Sequence, residues 1–296
     1  MRRSMLFLPG NAPKMIINGN YLGSDAVIFD LEDAVAPDQK DAARLLVRNV
    51  LRDLPFNLVE TIVRINSTDT AYWQKDINEI LPQKPDIIML PKTGTANDVL
   101  TVDAYLTEME AKLGFPRNTV RLMPLIETAL GVENAYAIAS ASDRVIALFL
   151  GAEDLTADLR CQRTKEGREI DYARSRLVVA ARAAGVDVYD TPFTDVNDDE
   201  GIVADARYAK SLGFTGKASI SPRHVDAINT VFSPTKKEIL YAYEVMDAIA
   251  LAKQQGKGAI ALRGKMIDAP IVNRAQQTIA AAEALGIRKE DLQDER

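Results

Sequence analysis

Ile87-Ile88-Met89-Leu90-Pro91-Lys92 decides the fold: four apolar residues in a row, closed by a proline and a lysine. A strand with one face in water alternates apolar and polar residues, whereas an unbroken short run means burial on both faces, as in a parallel sheet covered by helices. The same kind of run recurs along the chain, each time closed by a polar, glycine or proline residue and followed by a longer segment of helical period. The runs are Met5 to Pro9, Ala26 to Glu32, Thr61 to Asn66, Asp86 to Lys92, Val120 to Glu127, Val145 to Asp154, Val186 to Phe193 and Gly216 to Pro222. Between them, Pro37 to Leu51 carries Ala, Leu and Val at helical spacing, and Arg168 to Ala184 stops at Gly185, a good C-cap residue. Eight strands alternating with helices, with no break in composition, predict an α/β fold of the (β/α)8 TIM barrel type. The rival is an open doubly wound sheet, but the first strand-to-helix turn, Pro9-Gly10-Asn11-Ala12-Pro13, has no GxGxxG.

A chain of 296 residues has length enough for two domains at roughly 150 residues each, but α/β barrels of about 200 to 250 residues form one. Residues 1–232 hold the eight strand-helix units and are expected to be the barrel core. The remaining residues, 233–296, exceed what eight units need. After Ser233-Pro234-Thr235 a last barrel helix is expected to about Gln255. Gly256 to Pro270 then places Gly256, Gly258 and Gly264 around Ala259-Ile260-Ala261-Leu262, and a final helix begins near Ile271. This tail reads as a C-terminal lid or arm packing on a neighbouring subunit.

Charge and rare residues exclude several classes of function. With 36 Lys and Arg against 42 Asp and Glu, net −6, the chain is not built to neutralise nucleic-acid phosphates. One histidine and one cysteine rule out a His/Cys zinc cluster and an intramolecular disulfide. His224 and Cys161 read as structural or surface residues. The apolar stretch after Arg2-Arg3-Ser4 ends at Pro9-Gly10, too short for a signal segment or membrane span. A cytoplasmic location without membrane contact is expected.

In a barrel of this kind the chemistry lies where the strands end at their C-terminal side. The polar residues there are Asp30, Glu32 and Asp33; Arg64 and Asn66; Lys92; Glu127; Glu153 and Asp154; Asp190; and Ser221. So many carboxylates without a His or Cys ligand suit a hard divalent cation, Mg2+ with Mn2+ as a substitute, held by one or two carboxylates with water and substrate oxygens. Glu127 and Asp154 close consecutive runs and are the best ligand pair, the plainer alternative being that each favours the first turn of the next helix. Arg64 sits on a buried strand, where it either forms an ion pair with Asp30 or Glu32 or grips a substrate carboxylate with its planar fork. Lys92 is either solvated or part of the same group.

Seven motifs in order carry a resemblance. They are Arg3-Ser4-Met5-Leu6-Phe7-Leu8-Pro9-Gly10, Phe29-Asp30-Leu31-Glu32-Asp33-Ala34-Val35, Val63-Arg64-Ile65-Asn66, Leu90-Pro91-Lys92, Ile126-Glu127-Thr128, Gly151-Ala152-Glu153-Asp154-Leu155 and Lys265-Met266-Ile267-Asp268. From about residue 2 to 290 the chain resembles the family of the citrate lyase beta subunit and its relatives, the malyl-CoA and citramalyl-CoA lyases. The resemblance implies a Mg2+-dependent barrel that splits a citryl thioester, on acyl carrier protein or CoA, into oxaloacetate and an acetyl thioester. It implies Glu127 and Asp154 as metal ligands and Arg64 as the carboxylate clamp. Gly151, Ala152, Glu153 and Asp154 would offer backbone N–H groups to the oxo acid, with Asp30, Glu32, Asp33 and Lys92 supporting them. Asp268 would be the acid/base, delivered over a neighbouring subunit in a homotrimer or hexamer, possible partners being the alpha and gamma subunits of citrate lyase. Thr128-Ala129 and Leu155 stand where the beta subunit often has Ser-Pro and Tyr, so citramalyl-CoA or malyl-CoA is the alternative substrate. The other readings are a non-catalytic assembly subunit and a pyruvate-type aldolase.

Overall fold

The computed structural model describes residues 1–254 and 260–292. All eight expected strands form: β1 Ser4–Pro9, β2 Ala26–Asp30, β3 Glu60–Arg64, β4 Ile87–Leu90, β5 Arg121–Ile126, β6 Ala147–Leu150, β7 Asp187–Asp190 and β8 Gly216–Ser219. They pair in parallel in chain order, and β8 closes on β1, so the sheet is a complete barrel. The helices are α1 Pro13–Asn18, α2 Lys40–Asp53, α3 Trp73–Ile80, α4 Ala96–Lys112, α5 Ala129–Glu133, α6 Ala135–Ala139, α7 Ala152–Asp158, α8 Asp171–Ala184, α9 Asp199–Leu212, α10 Val225–Phe232, α11 Lys236–Gln254 and α12 Ala269–Ala284.

The unbroken apolar runs have the expected cause. In β4, Ile87 and Met89 point into the barrel with Ile28, Met123 and Phe149, while Ile88 and Leu90 join the layer between barrel and helices. Both faces of the strand are dry, so no position calls for a polar residue. Pro37–Gln39 makes a single 3-10 turn before α2 begins at Lys40. Gly185 ends α8 in the left-handed conformation, with φ +73°, as its place in the sequence predicted.

The chain divides into two compact units, Arg2–Phe232, and Ser233–Arg296 with Met1. In the second unit the glycine-rich segment is more regular than its sequence suggested. Ile260–Leu262 (β9) and Lys265–Ile267 (β10) form an antiparallel hairpin, turned by Arg263 and Gly264, both at positive φ, +52° and +77°, the geometry that two-residue hairpins need. Gly256 and Gly258 lie outside the described residues. Ala242, Val245, Ile267 and Ala275 form this unit's own core.

Candidate active site

The register of the barrel brings the strand-end residues together. Asp30 and Arg64 are direct partners across β2 and β3, and Arg64 Nε and Nη2 donate to the two Asp30 oxygens at 2.8 and 2.6 Å. Asp30 also accepts the N–H groups of Glu32 and Ala34, at 2.9 and 3.1 Å. Burial alone would raise its pKa; the Arg64 charge and these four bonds outweigh it and hold the carboxylate below its usual range. Arg64 Nη1 lies 3.1 Å from Glu32 Oε2 and 3.7 Å from Asp33 Oδ2, and the guanidinium sits 5.2 Å from the Phe7 ring centroid.

Lys92 closes the ring from β4. Its ammonium bonds Glu32 at 2.7 Å and lies 3.5 Å from Asp33 and 3.9 Å from Asp154. Its backbone is left-handed, φ +50°, an uncommon conformation for a residue with a side chain, and its N–H is directed to Glu127 Oε1 at 2.6 Å.

Glu127 and Asp154 face one cavity of about 430 Å³, lined also by Asp30, Asp33, Arg64 and Glu153 among polar residues and by Phe7, Leu125 and Phe149 among apolar ones. The helix-terminus alternative fails for Glu127, since Thr128 caps α5 by accepting the Gly131 N–H. It holds for Asp154, which lies in the first turn of α7. Burial, then the nearby Glu32 and Asp154 carboxylates, raise the Glu127 pKa to about 8 against the opposing pull of Arg64. Asp154 Oδ2 is buried without a hydrogen-bond donor, and Glu32 Oε2 has only the ion-pair contact of Arg64 Nη1 at 3.1 Å. Such a site is short of positive charge. Among the described residues no three His, Cys, Asp or Glu side chains cluster as metal ligands, and a facing carboxylate pair fits the few protein ligands that Mg2+ takes.

The expected backbone donors are only partly available. The Gly151 N–H goes to Ile126 O at 3.0 Å and the Ala152 N–H to Thr191 Oγ1 at 3.1 Å, which leaves Glu153 and Asp154 at the start of α7 for an anion. Asn66 turns to Asp76, Asp190 to Arg174 and Lys217, and Ser221 caps a 3-10 turn; none of the three lines the cavity. Asp268 is exposed and caps α12, accepting the Ile271 N–H at 3.2 Å. His224 is buried against Phe193 and Cys161 is exposed.

Three supporting residues escaped the sequence reading. Lys40 on α2 is buried and donates to the carbonyls of Leu31 and Glu32 at 2.8 and 2.7 Å, holding the loop that carries Glu32. Thr191 anchors Ala152, and Lys217 lies beneath it. A charge inside a buried strand was the signal used for Arg64, and it would have found Lys217 as well; nothing local marks Lys40 or Thr191.

Comparison with known proteins gives this geometry a context. The citrate lyase subunit beta of Leuconostoc mesenteroides subsp. cremoris is 43% identical over 284 residues, covering 96% of this chain and 94% of that protein. An L-malyl-CoA/beta-methylmalyl-CoA lyase of Cereibacter sphaeroides is 35% identical over 303 aligned positions, covering 96% and 95%. Among solved structures, a citrate lyase beta subunit from Mycobacterium tuberculosis, complexed with oxaloacetate and magnesium, matches with a TM-score of 0.66 at 33% identity, over 79% of this chain and 97% of that one. Residues 3–222, the barrel with all its strand ends, match the family model described as HpcH/HpaI aldolase/citrate lyase, and to that family the chain belongs.

Proposed function

We propose that the protein is a Mg2+-dependent carbon-carbon lyase that cleaves a citryl thioester, carried on acyl carrier protein or CoA, to oxaloacetate and an acetyl thioester. The observation that carries this reading is the Glu127 and Asp154 pair lining one cavity where carboxylates outnumber the neighbouring cations Arg64 and Lys92. The identity to a citrate lyase beta subunit and the likeness to one complexed with oxaloacetate and magnesium support it.

Glu127 and Asp154 would hold the ion. When bound, Mg2+ lowers the pKa of the substrate hydroxyl and stabilises the carbonyl that develops from it. Arg64 adds fixed positive charge for a substrate carboxylate, and the N–H groups of Glu153 and Asp154 orient it. The substrate hydroxyl passes its proton to the Asp268 carboxylate as the adjacent carbon-carbon bond breaks, its electron pair leaving as a thioester enolate. Asp268 is the proposed acid that protonates its methylene carbon, reaching the site from a neighbouring protomer of a homotrimer or hexamer. Asp30, Glu32, Asp33 and Lys92 keep Arg64 and the ligand pair in place.

The test is a side-by-side assay of citryl-CoA, citramalyl-CoA and malyl-CoA with Mg2+. Cleavage of citryl-CoA should be fastest, abolished by EDTA and restored by Mg2+ or Mn2+, and Glu127→Gln or Asp154→Asn should be folded but nearly inactive. Faster cleavage of malyl-CoA or citramalyl-CoA would move the substrate to the sister lyases. Cleavage of none, or full activity in EDTA, would overturn the reading.

A further inference from the structure

Beneath the cavity, where β7 and β8 end, lies a buried group of four charges. Arg174 donates Nε and Nη2 to Asp190 at 2.9 and 2.8 Å and Nη2 to Asp205 at 2.7 Å. Lys217 donates to Asp190 Oδ2 at 2.6 Å and to the Thr191 carbonyl at 2.6 Å, and lies 2.5 Å from Asp205 Oδ2. The ammonium thus has two hydrogen-bond acceptors and a close ion-pair contact. Arg174, Asp190 and Lys217 are wholly buried and Asp205 is 8% exposed. Two cations and two anions balance, yet taking four charges out of water is expensive, and an apolar cluster would be as stable or more so. Stability therefore does not account for the group; what it touches does. Thr191, 1% exposed, lines the cavity, its carbonyl held by Lys217 and its hydroxyl oxygen accepting the Ala152 N–H at 3.1 Å. Ala152 is the first residue of α7, two before Asp154.

We infer that Thr191, held by the buried Lys217, Asp190, Arg174 and Asp205, is a positioning residue that fixes the start of α7 and so the placement of Asp154 opposite Glu127. The two carboxylates are then fastened separately, Glu127 by the Lys92 N–H and Asp154 by way of Thr191 and Ala152. The inference rests on the proposed metal-dependent reading and deepens it.

The experiment is Mn2+ titration followed by electron paramagnetic resonance, with folding checked by circular dichroism, on wild type, Thr191→Val, Thr191→Ser and the charge-balanced double variant Lys217→Met/Asp205→Asn. Thr191→Val should weaken Mn2+ binding about 10-fold, the scale of a lost support to a ligand, and Thr191→Ser should keep nearly wild-type affinity because it keeps the oxygen. The double variant should weaken binding similarly, and adding Thr191→Val to it should cost little more, since both act through one path. A folded Thr191→Val with unchanged affinity, or losses that multiply when the changes are combined, would overturn the inference alone. Should Thr191→Val not fold, unchanged affinity in the double variant would overturn it equally. A wild-type protein that binds no Mn2+ would overturn the functional reading and this inference with it.

Discussion

Arg64 gives two N–H bonds to Asp30 and lies 3.1 Å from Glu32 through Nη1, so its fork is engaged in an ion pair, and the proposed clamp would use the N–H donors which that pairing leaves. Lysine cannot reproduce that fork. Arg64→Lys should therefore lose about 2 to 4 kcal/mol of transition-state stabilisation, read as kcat/KM with the fold monitored by circular dichroism. Loss of the fold in place of turnover would make Arg64 a structural residue only. Gly151 is constrained by space, not by conformation: a Cβ there would stand 2.6 Å from Glu127 Oε2 and 2.9 Å from its Cβ. Gly151→Ala should displace the carboxylate and weaken Mn2+ binding by about 10-fold or more in a protein that melts normally. Unchanged affinity would mean that Glu127 holds no metal.

Helix α4 is tied to the barrel at the end opposite the site. Arg144, wholly buried ahead of β6, donates to Asp103 at 2.7 Å and to Glu110 at 2.8 and 2.9 Å. Asp103 and Glu110 lie on one face of the helix, seven residues apart. Arg144→Met leaves Glu110 buried with only the N–H groups of Asn118 and Val120, and Asp103 with the Ser142 hydroxyl and the more distant Arg117, so urea unfolding should show a loss of about 3 to 5 kcal/mol, with kcat of the folded fraction unchanged. The 3-10 turn after β8 gives a pH signature. Burial lowers the pKa of His224 below 6.5, so the native state binds its proton less readily than the unfolded state. Its effect is absent well above pH 6.5, and stability is lost as pH falls through that value. The fall in urea midpoint between pH 7 and 5.5 should be smaller in His224→Phe; an equal fall would assign it to other groups.

The proposed assembly gives a test at the scale of the whole molecule. If Asp268 serves a neighbouring protomer's substrate, Asp268→Asn and Glu127→Gln damage different halves of one composite site. Mixing the two inactive proteins and allowing subunits to exchange should restore part of the turnover, with oligomer mass followed by light scattering. No recovery despite demonstrated exchange would place Asp268 in its own chain's site, and an active monomer would remove the shared site altogether.

The sequence alone determined the barrel, because burial on both strand faces is written locally as short unbroken apolar runs and the turns between them punctuate the pattern. It also marked the polar strand-end residues that the closed sheet gathers, Glu127, Asp154 and Arg64 around one cavity and Lys92 bonded to Glu32 and Glu127. Tertiary structure decided the partners. That Arg64 takes Asp30 with both arms, that the Lys92 N–H in a left-handed turn reaches Glu127, and that Ala152 is already held by Thr191 all depend on which neighbours the closed sheet sets side by side. Periodicity says which face a residue presents, but hydrogen bonds between residues far apart in sequence, 39 positions from Ala152 to Thr191 and 60 from Glu32 to Lys92, follow from register and strand closure, and no local pattern encodes them. The hairpin at Ile260–Ile267 was missed for the complementary reason: three-residue strands are too short to show a period, and Arg263-Gly264 reveals its turn only through backbone angles.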